Sequence, residues 1–170
     1  REIVSVGDGI LAAGSTTSSD GDLSIRTREG KTGWLIRLGA DGSVLWNFCS
    51  SRDGKAEICS PFVHDNGCVS CVLTGERGQE WIELNERGRA EKRVAVPDVT
   101  QLCRHERQEK STSVCAVPHD REGQPFLALV VDHGDGTCCI AELAQDGRLS
   151  PGMSFVKAEA DLFAACRDES

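Results

Sequence analysis

The chain has 170 residues, a formal net charge of −8 and a sequence pI of about 5.0, with 39% hydrophobic and 27% charged residues. This length suits a single globular domain over residues 1–170, and no apolar run is long enough to cross a membrane. The acidic balance repels phosphate backbones, and no cluster of Lys and Arg stands out, so nucleic acid is not an expected partner.

The first part of the chain, residues 1–54, predicts short strands joined by tight turns. Asp8-Gly9 and Asp41-Gly42 are residue pairs that favour the positive-φ turns between antiparallel strands. The stretch GWLIRLGADGSVLWNF at residues 33–48 reads as two strands around the second pair, because apolar residues alternate on both sides of it. The first part of the chain is therefore expected to form a small antiparallel sheet.

The same order of elements returns twice further along the chain. The motif L-x-x-D/R-G occurs at residues 38–42, 84–88 and 143–147, and an alternating strand precedes it each time. Turn pairs at Asn66-Gly67 and Glu122-Gly123 continue the series begun at Asp8-Gly9, with a period of about 56 residues. The predicted units are 1–54, 55–109 and 110–160, with 161–170 either opening a fourth unit or closing the first.

Each unit holds four short strands, so the sequence predicts an all-β fold of three four-stranded antiparallel units in a β-propeller-like repeat. A β-trefoil, which also takes three units of four strands, is the alternative. Closed propellers have about four to eight blades, so three units leave open sheet faces. We expect either self-association through the faces of units one and three, or a closing strand from Phe155–Cys166 on unit one. The stretch 98–110 is read as a helical connector or a charged loop.

Residues 8–51, DGILAAGSTTSSDGDLSIRTREGKTGWLIRLGADGSVLWNFCSS, resemble the blade repeat of bacterial β-propellers. That repeat has a DGGYILAG strand, an SSDGD loop, a D-x-W-L/V-V-K-L-D strand and a DG-x-I/V-LW turn and strand in succession. Units two and three keep DNGCVSCVLTG, EWIELNERG and CIAELAQDG but lack the SSDGD loop and the tryptophan after the turn. The resemblance implies a propeller fold and a surface or recognition role, and it transfers no catalytic residue.

Two acidic turns are the candidate sites for chemistry. Asp132, His133 and Asp135 combine carboxylates with an imidazole, as general acid and base catalysis requires, although Gly-Asp-Gly between apolar runs is also typical of a hairpin. Asp20 and Asp22 offer hard oxygen ligands to calcium, but the spacing of an EF-hand loop is missing and a solvated hairpin loop is the alternative. We therefore expect no cofactor, with calcium as the exception to test.

The nine cysteines are too few for a disulfide scaffold, and we expect most to be reduced and buried. Cys68 and Cys71 form a CxxC pair, but they have opposite strand parity and no second pair accompanies them, which disfavours a metal site. Trp34 shares its parity with neighbouring apolar residues and is expected in the core. The four histidines occur in polar, turn-like sequence and are expected at the surface: His64, His105, His119 and His133.

The sequence favours a non-enzymatic recognition or scaffolding module of a bacterial surface or secreted protein, which binds a protein or a glycan through its loops. One alternative is a carbohydrate-active hydrolase or lyase in which Asp132 and Asp135 converge on a propeller axis. Another is a trefoil lectin, with exposed tryptophans at equivalent points of the three units. The many cysteines suit a reducing compartment, so a cytoplasmic location stays open.

Overall fold

A computed structural model describes residues 2–18, 31–50, 55–97, 113–121, 123–132, 137–150 and 154–156 of the chain. Within these ranges the secondary structure is β-strand and turn, and the strands form three antiparallel sheets. The predicted all-β class and the three four-stranded units are confirmed, an arrangement consistent with a propeller-like repeat and with the trefoil alternative. The stretch 98–110, expected as a connector, lies outside the described residues.

Each sheet is built on an up-and-down meander of four strands in which consecutive strands are neighbours. Sheet A contains β1 (Glu2–Val6), β2 (Gly9–Thr16), β3 (Thr32–Leu38) and β4 (Val44–Cys49). Sheet B contains β5 (Ala56–Val63), β6 (Val69–Gly75), β7 (Gly78–Leu84) and β8 (Ala90–Ala95). Sheet C contains β9 (Ser113–Arg121), β10 (Gln124–Asp132) and β11 (Thr137–Ala144), followed by the short strands β12 (Leu149–Ser150) and β13 (Ser154–Val156). The strands of each sheet fall inside one predicted unit.

Two short strands take the place of a fourth strand in sheet C, because β12 and β13 both pair with β11. Phe155 and Val156, which were expected to begin a strand on the first unit, therefore lie at the edge of sheet C. The rest of that predicted closing strand, residues 157–166, lies outside the described residues.

The L-x-x-D/R-G motif forms the same turn in all three sheets. Gly42, Gly88 and Gly147 have φ values of 79°, 72° and 83°, in the left-handed region that glycine tolerates best. The N–H of each of these glycines donates to the carbonyl three residues earlier at 2.9–3.0 Å. Asp41 and Asp146 accept a further hydrogen bond from the N–H two residues on, at 3.0 and 2.9 Å. This is a type I turn closed by a left-handed residue, the usual geometry of three-residue hairpin loops.

Two other turns differ from the sequence-based expectation. In the first hairpin the two-residue loop is Gly7-Asp8 rather than Asp8-Gly9, and Gly7 takes the positive φ of 58°. A Cβ at Gly9 would overlap the carbonyl oxygen of Leu38, so this glycine is needed for close strand approach instead. The turn Glu76-Arg77, which joins β6 to β7, was not predicted, since its own residues carry no turn signal.

Residues 1–96 form one compact unit, in which sheets A and B pack face to face, and residues 97–170 form a second. The core of the first unit is a cluster of buried side chains from both sheets: Leu11, Ala13, Leu35, Ala56, Ile58, Val69, Cys71, Leu73, Ile82 and Leu84. Gly33 lies in this interface, where a Cβ would come within 2.7 Å of Leu73 Cδ1. Leu35 faces sheet B, whereas Trp34, which is expected in the core, lies on the other face of β3 and is half-buried.

A polar contact also joins sheets A and B. Ser60 has a φ of 50° and lies in a bulge of β5 between Cys59 and Phe62. Its N–H donates to Oε2 of Glu2 on β1 at 3.1 Å. The carboxylate thereby satisfies a backbone group that the bulge removes from strand pairing.

The second unit contains sheet C, one face of which is apolar and buried. Strand pairing places Leu127, Leu129 and Leu143 on this face, together with Ala116 and Ala141. The opposite face carries polar and aromatic side chains at one end and aliphatic side chains beside them, among them Val117, Ala128, Val130 and Ile140.

Candidate recognition site

The structure leaves the sequence-predicted site residues untested. Asp20, Asp22, His133 and Asp135 lie outside the described residues. Asp132 is the last residue of β10, where its backbone pairs with β9 and β11. Within the described parts of the chain, no group of three or more His, Cys, Asp or Glu residues is placed to hold a metal ion.

Four side chains on one face of sheet C form a cluster that sequence analysis did not find. His119 and Arg121 come from β9, Phe126 from β10 and Glu142 from β11. The pairing register explains why they meet: Phe126 lies directly opposite His119, and the other two lie on the same face because side chains alternate along strands. We call these four residues the sheet C cluster.

Contacts inside the sheet C cluster hold its side chains in place. Arg121 donates to Glu142 through both terminal nitrogens, Nη2 to Oε1 at 2.7 Å and Nη1 to Oε2 at 3.4 Å. Its guanidinium carbon lies 5.0 Å from the centroid of the Phe126 ring, within cation–π range. The His119 ring stacks on Phe126, with centroids 5.4 Å apart and an interplanar angle of 15°. These contacts pre-order the face before any ligand arrives.

The cluster remains accessible to a ligand. The Arg121 side chain is 66% exposed in spite of its ion pair. An exposed pair of this kind contributes at most about 1 kcal/mol to folding, so stability alone is a weak reason for the arrangement. The structure thus presents an ordered guanidinium, carboxylate, imidazole and phenyl ring on one surface, which suits recognition of another molecule.

His64 and Ser70 have the geometry of a base and a nucleophile, but both side chains are buried. Nε2 of His64 lies 2.7 Å from Oγ of Ser70, and the Phe62 ring packs edge-on against the imidazole at 4.9 Å. Ser70 is 0% exposed, so no substrate reaches its hydroxyl in this conformation. The expectation that His64 lies at the surface is wrong, because this side chain is 8% exposed. His119 is exposed, as expected.

Cys59, Cys68 and Cys71 are free thiols. Burial raises the pKa of Cys71 to about 12, and desolvation also raises the pKa of Cys59 and of Cys68. Raised pKa values keep a thiol protonated and unreactive at neutral pH. These cysteines therefore offer no activated nucleophile.

Sheet A carries the exposed apolar surface of the described chain. We define its outer face as the side turned away from sheet B, with these residues in register: Ile3, Ile10, Ala12, Ile36, Leu38 and Val44. Ile3 is 72% exposed, and Leu45, in the bulge beside Val44, is 57% exposed. Large exposed aliphatic side chains grouped on one sheet are typical of an interaction surface.

A scan against models of known protein families finds no match to this chain, and a search of curated proteins finds no relative either. Across the ranges that the structure describes, we find no helix that is long and apolar enough to span a membrane.

Proposed function

We propose that this protein is a non-enzymatic recognition or scaffolding module that binds another protein. The observation that carries the proposal is the sheet C cluster, in which Arg121 is held by Glu142 and Phe126 while most of its side chain stays in contact with solvent. Arginine and aromatic residues dominate the binding energy of protein interfaces, and pre-ordered side chains lose little conformational entropy on binding.

The chemistry of the accessible surface favours a protein ligand over a glycan. Sugar rings bind through aromatic stacking, but Trp34 and Trp46 are half-buried and Trp81 is buried. The exposed large apolar residues are aliphatic instead, and the Phe126 ring is already in contact with two neighbours. The buried Ser70 and the raised thiol pKa values likewise support a role without catalysis.

Chemical cross-linking followed by mass spectrometry tests the proposal, with Arg121→Ala and Phe126→Ala as the informative variants. Arg148→Ala is the matched control, because this arginine also pairs with a nearby carboxylate, Asp146, on the exposed surface of the same sheet. We expect the wild-type and control proteins to capture the same protein partner and both cluster variants to lose at least about tenfold in capture, as expected for interface anchors.

Two results would contradict this function. One is cluster-dependent binding to a glycan array without protein capture, which would point to a lectin. The other is release of reducing ends from a panel of polysaccharides, which would show an enzyme.

The resemblance of residues 8–51 to bacterial propeller repeats also supports a bacterial surface or secreted location, and cell fractionation would test it.

A further inference from the structure

The three sheets can be aligned residue by residue, because the same pairing precedes each L-x-x-D/R-G turn. The leucine that opens the motif pairs with one residue on the second strand and one on the fourth: Leu38 with Ile10 and Val44, Leu84 with Val69 and Ala90, Leu143 with Leu127 and Leu149. Faces of different sheets can therefore be compared directly.

By this alignment, the outer face of sheet A corresponds to the face of sheet B that packs on sheet A. Val69 in sheet B is 0% exposed, because sheet A covers it, whereas its counterpart Ile10 in sheet A is 38% exposed. By the same register, Ala12, which is half-buried, and Ile36, which is 8% exposed, are the counterparts of Cys71 and Ile82, both in the core cluster. The outer face of sheet A thus has the residue pattern of a face that a second sheet covers.

The same alignment identifies the kind of face that covers it. Sheet B is covered by the side of sheet A that carries Leu11, Ala13 and Leu35. The counterparts of these three residues in sheet B are Ser70, Val72 and Trp81, all essentially unexposed. Their counterparts in sheet C are Ala128, Val130 and Ile140, of which Ala128 and Ile140 are half-buried and Val130 is 6% exposed. Among the described sheets, sheet C therefore has a partly accessible face that is equivalent to the side of sheet A packed on sheet B.

We propose that the outer face of sheet A binds the face of sheet C that carries Ala128, Ile140 and Val117, in a second copy of this chain. This inference rests on the proposed function, since it names the partner of the surface that holds the sheet C cluster. The two faces differ, so the contact is heterologous, and each copy in a pair retains one face of each kind. Association therefore continues beyond a dimer unless a ring closes.

Sedimentation velocity over a range of protein concentrations tests this contact with two charge variants. Ile10→Asp places an unpaired carboxylate on the sheet A face, and Val117→Asp places one on the sheet C face. Each should weaken association more than about a hundredfold, because a buried charge without a partner is costly. Ala95→Asp, at an exposed strand position of sheet B, is the matched control and should associate like the wild type.

Mixing the two variants gives the decisive result. Each retains the face that the other lacks, so an equimolar mixture should form one-to-one pairs that grow no further. Circular dichroism checks that both variants fold, and His119→Asp, at an exposed position on the same face, replaces Val117→Asp if that variant does not.

Three outcomes would overturn the proposal. A wild-type chain that stays monomeric shows that no second copy binds, and if it still captures another protein through Arg121, the proposed function stands without this inference. Loss of association in Ile10→Asp but not in Val117→Asp shows that sheet A pairs with itself. A monomer that associates only when residues 157–170 are removed shows that the chain covers its own sheet A face.

Discussion

Replacing Gly88 by alanine should destabilise the protein more than replacing Gly42, although the two glycines occupy the same position of the same turn. Both have a left-handed φ, 72° and 79°, so alanine costs each turn about 1–2 kcal/mol. A Cβ at Gly42 meets nothing within 4 Å, whereas a Cβ at Gly88 would lie 2.6 Å from Cδ2 and Cε3 of Trp46 on sheet A. Overpacking of this kind typically adds about 1–3 kcal/mol.

Urea unfolding of the two variants measures the difference, and Trp46→Ala completes a double-mutant cycle. In the Trp46→Ala background the ring is absent, so Gly88→Ala should cost no more than Gly42→Ala does in the wild type. A coupling free energy of at least about 1 kcal/mol is expected between positions 46 and 88. Equal losses for the two glycine variants in the wild-type background would refute the contact between this turn of sheet B and sheet A.

Three further predictions concern buried and half-buried groups. The Cys71 thiol, with its pKa of about 12, should resist iodoacetamide at mildly alkaline pH until the protein unfolds, and rapid modification of the native protein would show that the core opens. Ser70→Ala removes the hydrogen bond to His64 and should lower the free energy of unfolding by about 1–2 kcal/mol in urea, so an unchanged midpoint would count against that bond. Glu2→Ala should cost more than Glu2→Gln, which keeps an acceptor for the Ser60 N–H, and equal thermal shifts would mean that the contact contributes nothing.

The features that local sequence determines were predicted well. The turns at Asp41-Gly42 and Asp146-Gly147 follow from a side chain that bonds its own backbone and a glycine that accepts positive φ, and both signals lie within three residues. The first hairpin was placed one residue late because Gly7 and Gly9 both permit a turn, and contact with Leu38, distant in sequence, decides between them.

Which face of a strand meets another sheet, and which side chains meet across strands, were not predicted. Trp34 and Leu35 are neighbours in a strand that is apolar on both faces, so alternation alone does not show which of them meets sheet B. Arg121 and Glu142 are 21 residues apart and meet across an intervening strand, which only the pairing of three strands reveals. The signal available in the sequence is the two-residue spacing of His119 and Arg121, which is that of one strand face, in a segment whose polar residues suggest a turn.

The connections between the second and third strands differ greatly in length while the strand pairing stays the same. Fifteen residues, 17–31, join these strands in sheet A, two residues, 76–77, in sheet B, and four residues, 133–136, in sheet C. Each doubling of a flexible loop adds only about 0.6 kcal/mol of closure entropy, so lengthening from two residues to fifteen costs about 2 kcal/mol. A peptide epitope inserted between Glu76 and Arg77 should accordingly be displayed without loss of the sheet, which makes this hairpin a natural position for loop grafting.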